Sequence, residues 1–374
     1  MHYFEFATKD TTIYEASASV NTGKDEILEI RKDIHQAGEV VEVSRALIKF
    51  DLTYISASVS SGLISSGSSE KFYLNLYDAN SNNLNIEQYL YAYPVSQSWI
   101  QGSGRSDSKP HISDGCSWNY KDNDVSKTQW SGLMTGSGGT WYSGSGYEGS
   151  QLFVNEAADL RMDVTDITWK WLTGVIPNEG FMVKRSGSIG NTNSNVEEGS
   201  TTSYGNFLFF SRETHTIYQP RLEVVWDDSK YNSGSLTHLT QTELEDVRIT
   251  PRSLRREYKE NSKARFRINS RPLYPEKTFS ATAGYATGYT TSKLLPSGST
   301  YYSIVDAYTG DTVIPFGEGS VVSADTTGNY FNLWLNGLLP ERFYKIEIKV
   351  VSGSGTLDET IQYFDDFQSF KITR

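Results

Sequence analysis

The stretch FLFFSRETHTIYQPRLEVVW, Phe207–Trp226, has the form of two closing strands of one large β domain joined by a tight polar connection. Phe207 to Phe210 is a short continuous apolar run. Leu222, Val224 and Trp226 alternate with Arg221, Glu223 and Val225, a period that puts three large apolar groups on one sheet face. Pro220 opens the second strand, one of the few strand positions where a missing N–H leaves no gap in the ladder. Ser211-Arg212-Glu213 falls at the end of the first strand, and on spacing alone Arg212 and Glu213 read as a surface ion pair of little energetic weight. After Trp226 the text changes to Asp227-Asp228-Ser229-Lys230, so a domain is expected to end near residue 228.

Working outward, the 374 residues are too many for one ordinary sandwich and enough for two domains that each bury a core. Aromatic residues make up 13% of the chain, and with Gly, Ser and Thr in excess and few long helical periods this is the signature of an all-β protein with many loops. Cys116 is the single cysteine, so stability must come from packing, association or ions. The net charge of −11 argues against a nucleic-acid binder, whose phosphate affinity needs clustered Lys and Arg. No stretch approaches the roughly 18 consecutive apolar residues of a membrane span. MHYFEFATKDTTIYEASAS has neither a basic n-region nor an apolar h-region, so a soluble chain without an export signal is expected. Its Gly/Ser/Asn/Tyr-rich loops are nonetheless of the kind exposed outside cells. A virion component would combine the two features, and so would a chain trimmed of its signal.

In the first half, TKDTTIY (Thr8–Tyr14) and EILEIR (Glu26–Arg31) read as short strands separated by the turn Asn21-Thr22-Gly23. In RALIKFD (Arg45–Asp51), Ala46, Ile48 and Phe50 face one way and the residues between them the other. Ser56–Ser69 reads as a serine-rich loop, followed by the strand KFYLNLYDA. Residues Ser96–Ser150 form a loop region of a length that is usually functional or ordered by a partner. Leu160–Gly174 carries the one helix signal of this half, with Asp163 or Thr165 as cap, Ile167 and Trp171 at helical spacing, and Gly174 as stop. Gly180–Lys184 reads as a buried strand and Asn191–Thr202 as a polar loop.

Residues 229–277 read as a connector with two weak helical patches, TELEDVRI and SLRREYKENS. Between Arg248 and Lys277 ten Lys or Arg stand against three Glu, a net of about +7, and Arg248, Arg252, Arg255, Arg256, Arg265 and Arg267 are its candidate contacts. Residues 1–226 hold 27 acids against 17 bases. A basic strap lying on an acidic neighbour, in this chain or another subunit, is therefore preferred over DNA, because aromatic interleaving and a nucleic-acid motif are both absent. From 278 to 374 alternation returns, with a hairpin turn at Thr309-Gly310-Asp311 and about six or seven strands, the count of an immunoglobulin-like sandwich without its cysteine pair.

His2, His35, His111, His215 and His238 stand alone, none at zinc-ligand spacing. No GxSxG, HExxH or phosphate loop occurs, and no carboxylate pair is singled out, so no catalytic residue is assigned and no enzyme expected. Asp107, Asp122 and Asp124 supply oxygens of the kind Ca²⁺ takes. They lack the glycine and terminal glutamate of a full calcium loop, so a solvated turn competes with a structural Ca²⁺, and no other cofactor is expected. Trp99, Trp118, Trp130, Trp141, Tyr142 and Tyr147 suit three roles: stacking on sugar rings, filling the sandwich, or burial at a subunit contact. In a region so poor in other apolar residues, some of them are expected to be covered by protein.

An ordered series of segments resembles a known module over roughly residues 5–228. It comprises RALIKFDLTYI, Trp99-Ile100-Gln101-Gly102-Ser103-Gly104, Gly115-Cys116-Ser117-Trp118, Trp130, Gly138-Gly139-Thr140-Trp141, VTDITWKWLTGVIPNEGFMVK and FFSRETHTIYQPRLEVVW. The series is similar to the DNRLRE domain, and the resemblance implies a jelly-roll-like β-sandwich related to carbohydrate-binding modules. Gln101 departs from it, standing where that family commonly has an acidic residue. The second half, with ENSKARFRINSRPLYPEKTF, YYSIVDAYTGDTVIPF, FNLWLNGLLPERFYKIEIKV and YFDDFQSFKI, is similar to C-terminal portions of structural proteins of large tailed phages, which implies a virion role.

The expected architecture is thus all-β: a jelly-roll-like sandwich over 1–228, a basic connector over 229–277 and an immunoglobulin-like sandwich over 278–374. The expected function is that of a non-enzymatic virion structural protein of a tailed bacteriophage, in tail, baseplate or neck, assembled in the host cytoplasm. It would be oligomeric and contact other virion structural proteins, with no membrane partner. The alternative is a carbohydrate-binding adhesin that meets a surface glycan through its Trp and Tyr loops.

Overall fold

A computed structural model describes the whole chain except residues 36–39, 65–68, 125–126, 132–136, 155–157, 188–196, 275–291, 354, 356 and 358. The fold is all-β and β-sandwich-like, built of mainly antiparallel sheets, and among the described residues the helices are short. Chain contacts separate two compact units, Phe4–Ser66 with Lys71–Val224, and Val225–Arg374 with Met1–Tyr3 and Gly67–Glu70.

The strands of the first unit are β1 (His2–Tyr14), β2 (Ile27–His35), β3 (Val40–Phe50), β4 (Lys71–Leu76), β5 (Glu87–Pro94), β6 (Tyr120–Asp122), β7 (Thr128–Gln129), β8 (Gly149–Val154), β9 (Leu160–Asp163), β10 (Phe181–Lys184), β11 (Gly205–Phe210) and β12 (Arg221–Val225). All but the small β6-β7 pair join one sheet in the order β8-β5-β10-β3-β1-β12-β4-β9, with β2 added to β3 and β11 to β2. The strand read as RALIKFD is its hinge, because β3 pairs with β2 at its start and with both β1 and β10 further along.

The two strands of the opening stretch do not pair with each other. Phe207–Phe210 lies on β2, whereas β12 is inserted between β1 and β4. Insertion pairs both edges of β12, and both of its faces are covered as well, so Arg221 and Glu223 are buried along with Leu222 and Val224. Both charges are compensated: the Arg221 guanidinium lies 5.2 Å from the Tyr77 ring, and Glu223 accepts from Asn75 at 3.2 Å and Arg161 at 3.0 Å.

Two local expectations change. Part of the serine-rich loop is helix α1 (Thr53–Ser60), started by Asp51, whose Oδ1 accepts the Thr53 N–H at 3.0 Å, and anchored by buried Ile55. Burial of that one side chain outweighs the modest helix propensity of serine. The segment from Leu160 begins as strand β9, and only Thr165–Leu172 is helix (α2), with Asp163 accepting the Thr165 N–H and Gly174 at φ +72° beyond its end.

The second unit contains α3 (Gln241–Glu245) and the strands β13 (Val247–Arg252), β14 (Glu257–Lys259), β15 (Lys263–Pro272), β16 (Thr300–Asp306), β17 (Thr312–Ile314), β18 (Ser323–Asp325), β19 (Gly328–Trp334), β20 (Phe343–Ser352), β21 (Thr360–Phe364) and β22 (Phe370–Thr373). One sheet runs β13-β15-β19-β18 and the other β14-β22-β20-β16-β17, with β21 also on β20. Lettered in chain order these are A-B-E-D and A′-G-F-C-C′, the strand order of an immunoglobulin-like sandwich. Its core is aromatic, with Tyr302 and Phe331 stacked at 4.1 Å and Phe266 against Phe331 and Phe370.

The connector expected over 229–277 is corrected by these strands. Of the two patches only the first supplies a helix, α3, through its residues TELE, and a capping box between Thr240 and Glu243 opens it. SLRREYKENS holds the strand β14 and turns, and VRITPR and KARFRINSRP are full members of the sandwich. The reason is a period of two hidden under the charge: Val247, Ile249, Phe266 and Ile268 point inward and are buried, while the basic residues between them form the outer face. The boundary expected at 277 and 278 lies outside the described residues. Phe266→Ala tests the correction, since it would be nearly neutral in a solvated connector. We expect it to cost about 3–5 kcal/mol, as aromatic truncation in a core does, measured by urea unfolding.

Candidate functional site

Of the aromatic candidates, Trp99, Trp118 and Trp130 are buried with Ile13, Leu47, Val95, Cys116 and Met182, and Trp141 packs against the same cluster. Two of the buried indoles also tie loops: Trp99 Nε1 donates to Glu179 O and Trp130 Nε1 to Ser117 O, both at 2.9 Å. Three of the six residues thus have no ring face to offer a sugar. Tyr142 and Tyr147 stack on each other at 5.8 Å, half-buried, with the Lys170 ammonium 4.8 Å from the Tyr147 ring.

The long loop region closes on a buried charge network. Arg45, on β3, donates from Nε and Nη2 to the two oxygens of Glu198 at 3.0 and 2.6 Å, and from Nη1 to Gly138 O. Its guanidinium lies between Trp118 and Trp141, 4.7 and 5.1 Å from their rings. Lys184 completes the set at 3.2 Å from Glu198, and burial lowers its pKa to about 8. Gly138 is required there: its φ is +80°, and a Cβ would sit 2.5 Å from Arg45 Nη1 and 2.7 Å from the Trp118 ring.

The corner at Ser211-Arg212-Glu213 is more than a surface pair. Glu213 accepts from Lys24 at 2.9 Å and Gln101 at 3.1 Å, and Arg212 Nη1 reaches Gln101 Oε1 at 3.4 Å. An amide at 101 donates where a carboxylate would repel Glu213. Beneath it Asp10 is buried and accepts the Arg212 backbone N–H, and burial raises its pKa to about 7. Asn21 knits the neighbouring loops, donating to Gln101 O and Cys116 O at 2.7 and 2.8 Å and accepting from Gly104 N at 2.9 Å. Gly102 and Gly104 exist for this contact, since a Cβ on either would fall 2.3 Å from Asn21 atoms.

Four of the six basic candidates come together in one groove. Arg252, Arg255, Arg265 and Arg267 line one groove of about 710 Å³, joined by Lys259 and Lys263, with Glu257 as the acid in its wall. β15 presents Lys263, Arg265 and Arg267 in a row at every second residue, and the β13-β14 turn brings Arg252 and Arg255 across to them. Ser253, in that turn, holds φ +60°, a left-handed conformation uncommon for residues other than glycine. Arg267 is held by Asp325 through two bonds of 3.0 and 2.9 Å, and this guanidinium keeps the Asp325 carboxyl well below the usual carboxylate range. Among the described residues no acid pairs with Arg252, Arg255, Lys259 or Lys263. Arg248 lies on the same sheet face opposite Arg271, outside the groove, and Arg256 is not among the lining residues. Aromatic interleaving is present after all: Arg265 lies 4.2 Å from the Tyr330 ring and Lys263 5.5 Å from Trp334, both supplied by β19.

Sequence reasoning missed a second surface. Tyr89, Tyr91 and Tyr93 alternate along β5, with successive ring centroids 6.1 and 6.2 Å apart, and Trp141 continues the row 6.2 Å beyond Tyr93. Leu152 and Val154 on the paired β8 extend it, exposed by 42% and 50%, beside Tyr89 at 43%. The signal was the period-two YLYAY, outweighed by the denser tryptophans of the loops.

Among the described residues no group of three or more His, Cys, Asp or Glu gathers as a metal site, and Asp122 Oδ1 accepts the Asp124 N–H at 3.0 Å as a solvated turn does. Asp107 is not gathered with them. No described helix is long and apolar enough to cross a membrane. The sequence matches no protein-family model, and no curated protein matches it.

The Asp10 site yields a pH prediction. Its folded pKa of about 7 lies above the ordinary aspartate value of 3.8, so its contribution to stability is full below the lower value and lost as pH rises through the upper. Asn can still accept the Arg212 N–H. Asp10→Asn is therefore expected to raise the thermal midpoint most at about pH 8, with the gain shrinking as pH falls toward about 4. A gain independent of pH would contradict it.

Proposed function

We propose that this chain is a non-enzymatic structural protein of a tailed-phage virion, in tail, baseplate or neck, which works by presenting rigid β-sandwich surfaces to neighbouring proteins in an oligomeric assembly. One observation carries the assembly part: the β5-β8 face offers a continuous aromatic and aliphatic row, Tyr89, Tyr91, Tyr93, Leu152 and Val154, on a strand pair whose other side is core. Apolar rows of this kind mark contact sites. The virion part draws on the similarity of the second half to phage structural proteins, and the first unit's role as a jelly-roll-like, DNRLRE-type module draws on its ordered motifs. Mass spectrometry of purified particles is expected to find the chain in intact virions at a stoichiometry of several copies. Its absence from clean particles would remove the virion role.

The same row favours a second reading, an adhesin that binds a surface glycan, because tyrosine and tryptophan rings in series can pack on apolar sugar faces. Tyr89 and Tyr91 are the residues to vary, since Trp118 is core and its loss would unfold the loops. Under this reading glycan-array binding is present and disappears in Tyr89→Ala/Tyr91→Ala with unfolding unchanged. A silent array leaves the assembly reading.

A further inference from the structure

The outer face of the sheet β13-β15-β19-β18 is assembled at an electrostatic cost. In the register of β13 on β15, Arg252 stands opposite Arg267 and Arg248 opposite Arg271. Like charges directly across a ladder destabilise the pair. Asp325 relieves only Arg267 and, at 3.8 Å, Arg265. Arg252, Arg255, Lys259 and Lys263 line the groove with no acidic partner among the described residues, and a non-glycine residue at positive φ holds the turn that brings two of them in. Side chains arranged against their mutual repulsion are accounted for by an anion that binds between them.

We propose that this groove seats an extended, carboxylate-rich segment of a neighbouring protein, an inference that rests on the assembly reading above. Spacing selects the partner. Lys263, Arg265 and Arg267 repeat at every second residue of a strand, about 6.6 Å apart, and an extended acidic peptide repeats its carboxylates on one side at the same distance. The guanidinium forks of Arg252 and Arg255, which Asp325 does not engage, match carboxylates with two parallel bonds, and this orients the segment as well as holding it. Nucleic acid fits less well. The ring faces that would stack on bases are capped by Arg265 and Lys263, and the chain as a whole carries −11. The acidic complement exists in this very chain, whose residues 1–226 hold ten more acids than bases, so a second copy is one source of such a segment.

The test uses the full chain and a fluorescent oligoglutamate peptide long enough to lie along β15, with an oligothymidylate of equal charge as the comparison. Oligoglutamate is expected to bind at low salt, to raise the thermal midpoint, and to weaken as salt is added. Arg252→Glu/Arg255→Glu alters only exposed side chains and replaces the like-charge pair with Arg267 by an opposite-charge one, so stability should be equal or higher while affinity falls at least about tenfold, the scale of losing charge-assisted contacts. Arg105→Glu, in the other unit, should bind as the wild type does. Absence of oligoglutamate binding, binding indifferent to the double variant, or tighter binding of oligothymidylate would each overturn the proposal. Detection in virions together with no peptide binding would remove this groove's role and leave assembly standing. Peptide binding by a chain absent from virions would do the reverse.

Discussion

A guanidinium taken out of water is costly unless its donors find acceptors and its charge finds an opposite, and the first unit is organised around one such group. Arg45 sits on β3, the strand that serves three neighbours, and is 2% exposed. Glu198 answers it with both oxygens, Gly138 with a carbonyl, and Trp118 and Trp141 with their ring faces. Each of those partners belongs to a segment with little regular structure of its own. Removing one partner of such a buried pair leaves an uncompensated charge, a penalty of about 3–5 kcal/mol, so the segments are fixed by a requirement of β3. The described parts of the long loop region that carry Trp118, Gly138 and Trp141 are tied to β3 through that requirement.

With the indoles committed to this core, the surfaces left for contact are side chains carried by strands. That shift matters physically, because a strand fixes the spacing and direction of its outer residues, whereas a loop leaves both adjustable. The two surfaces found are both of this type: a tyrosine row on β5 and a cationic row on β15. They differ in the forces that would drive contact. Burial of the first is non-directional and little affected by salt. Contact through the second is oriented by guanidinium geometry and weakened by screening.

Several elements were legible from residue order. Alternation identified RALIKFD and KFYLNL as strands, the apolar run in FMVK marked a buried one, and Asp163, Ile167, Trp171 and Gly174 marked α2. β13 and β15 were misread because their outer residues are Arg and Lys, which suggested a solvated connector and concealed Val247, Ile249, Phe266 and Ile268. α1 was misread because its serines argue for a loop, and only the pocket filled by Ile55 makes the helix worthwhile. For the site, composition located the basic residues. It could not show that Arg252 and Arg267 face one another, since that is a matter of register.

By itself the sequence determined that the chain is all-β and cannot be held by an internal disulfide, and that its basic residues are concentrated between 248 and 277, because these depend on period and composition alone. Tertiary structure decided which aromatics are core and which are surface, that β11 and β12 part company, and that Tyr330 and Trp334 lie under the cations of β15. Those outcomes depend on which strands pair, and pairing joins residues tens of positions apart through backbone hydrogen bonds that every residue type can make. Residue identity along the chain records the faces of a strand. It does not record the strand's neighbours.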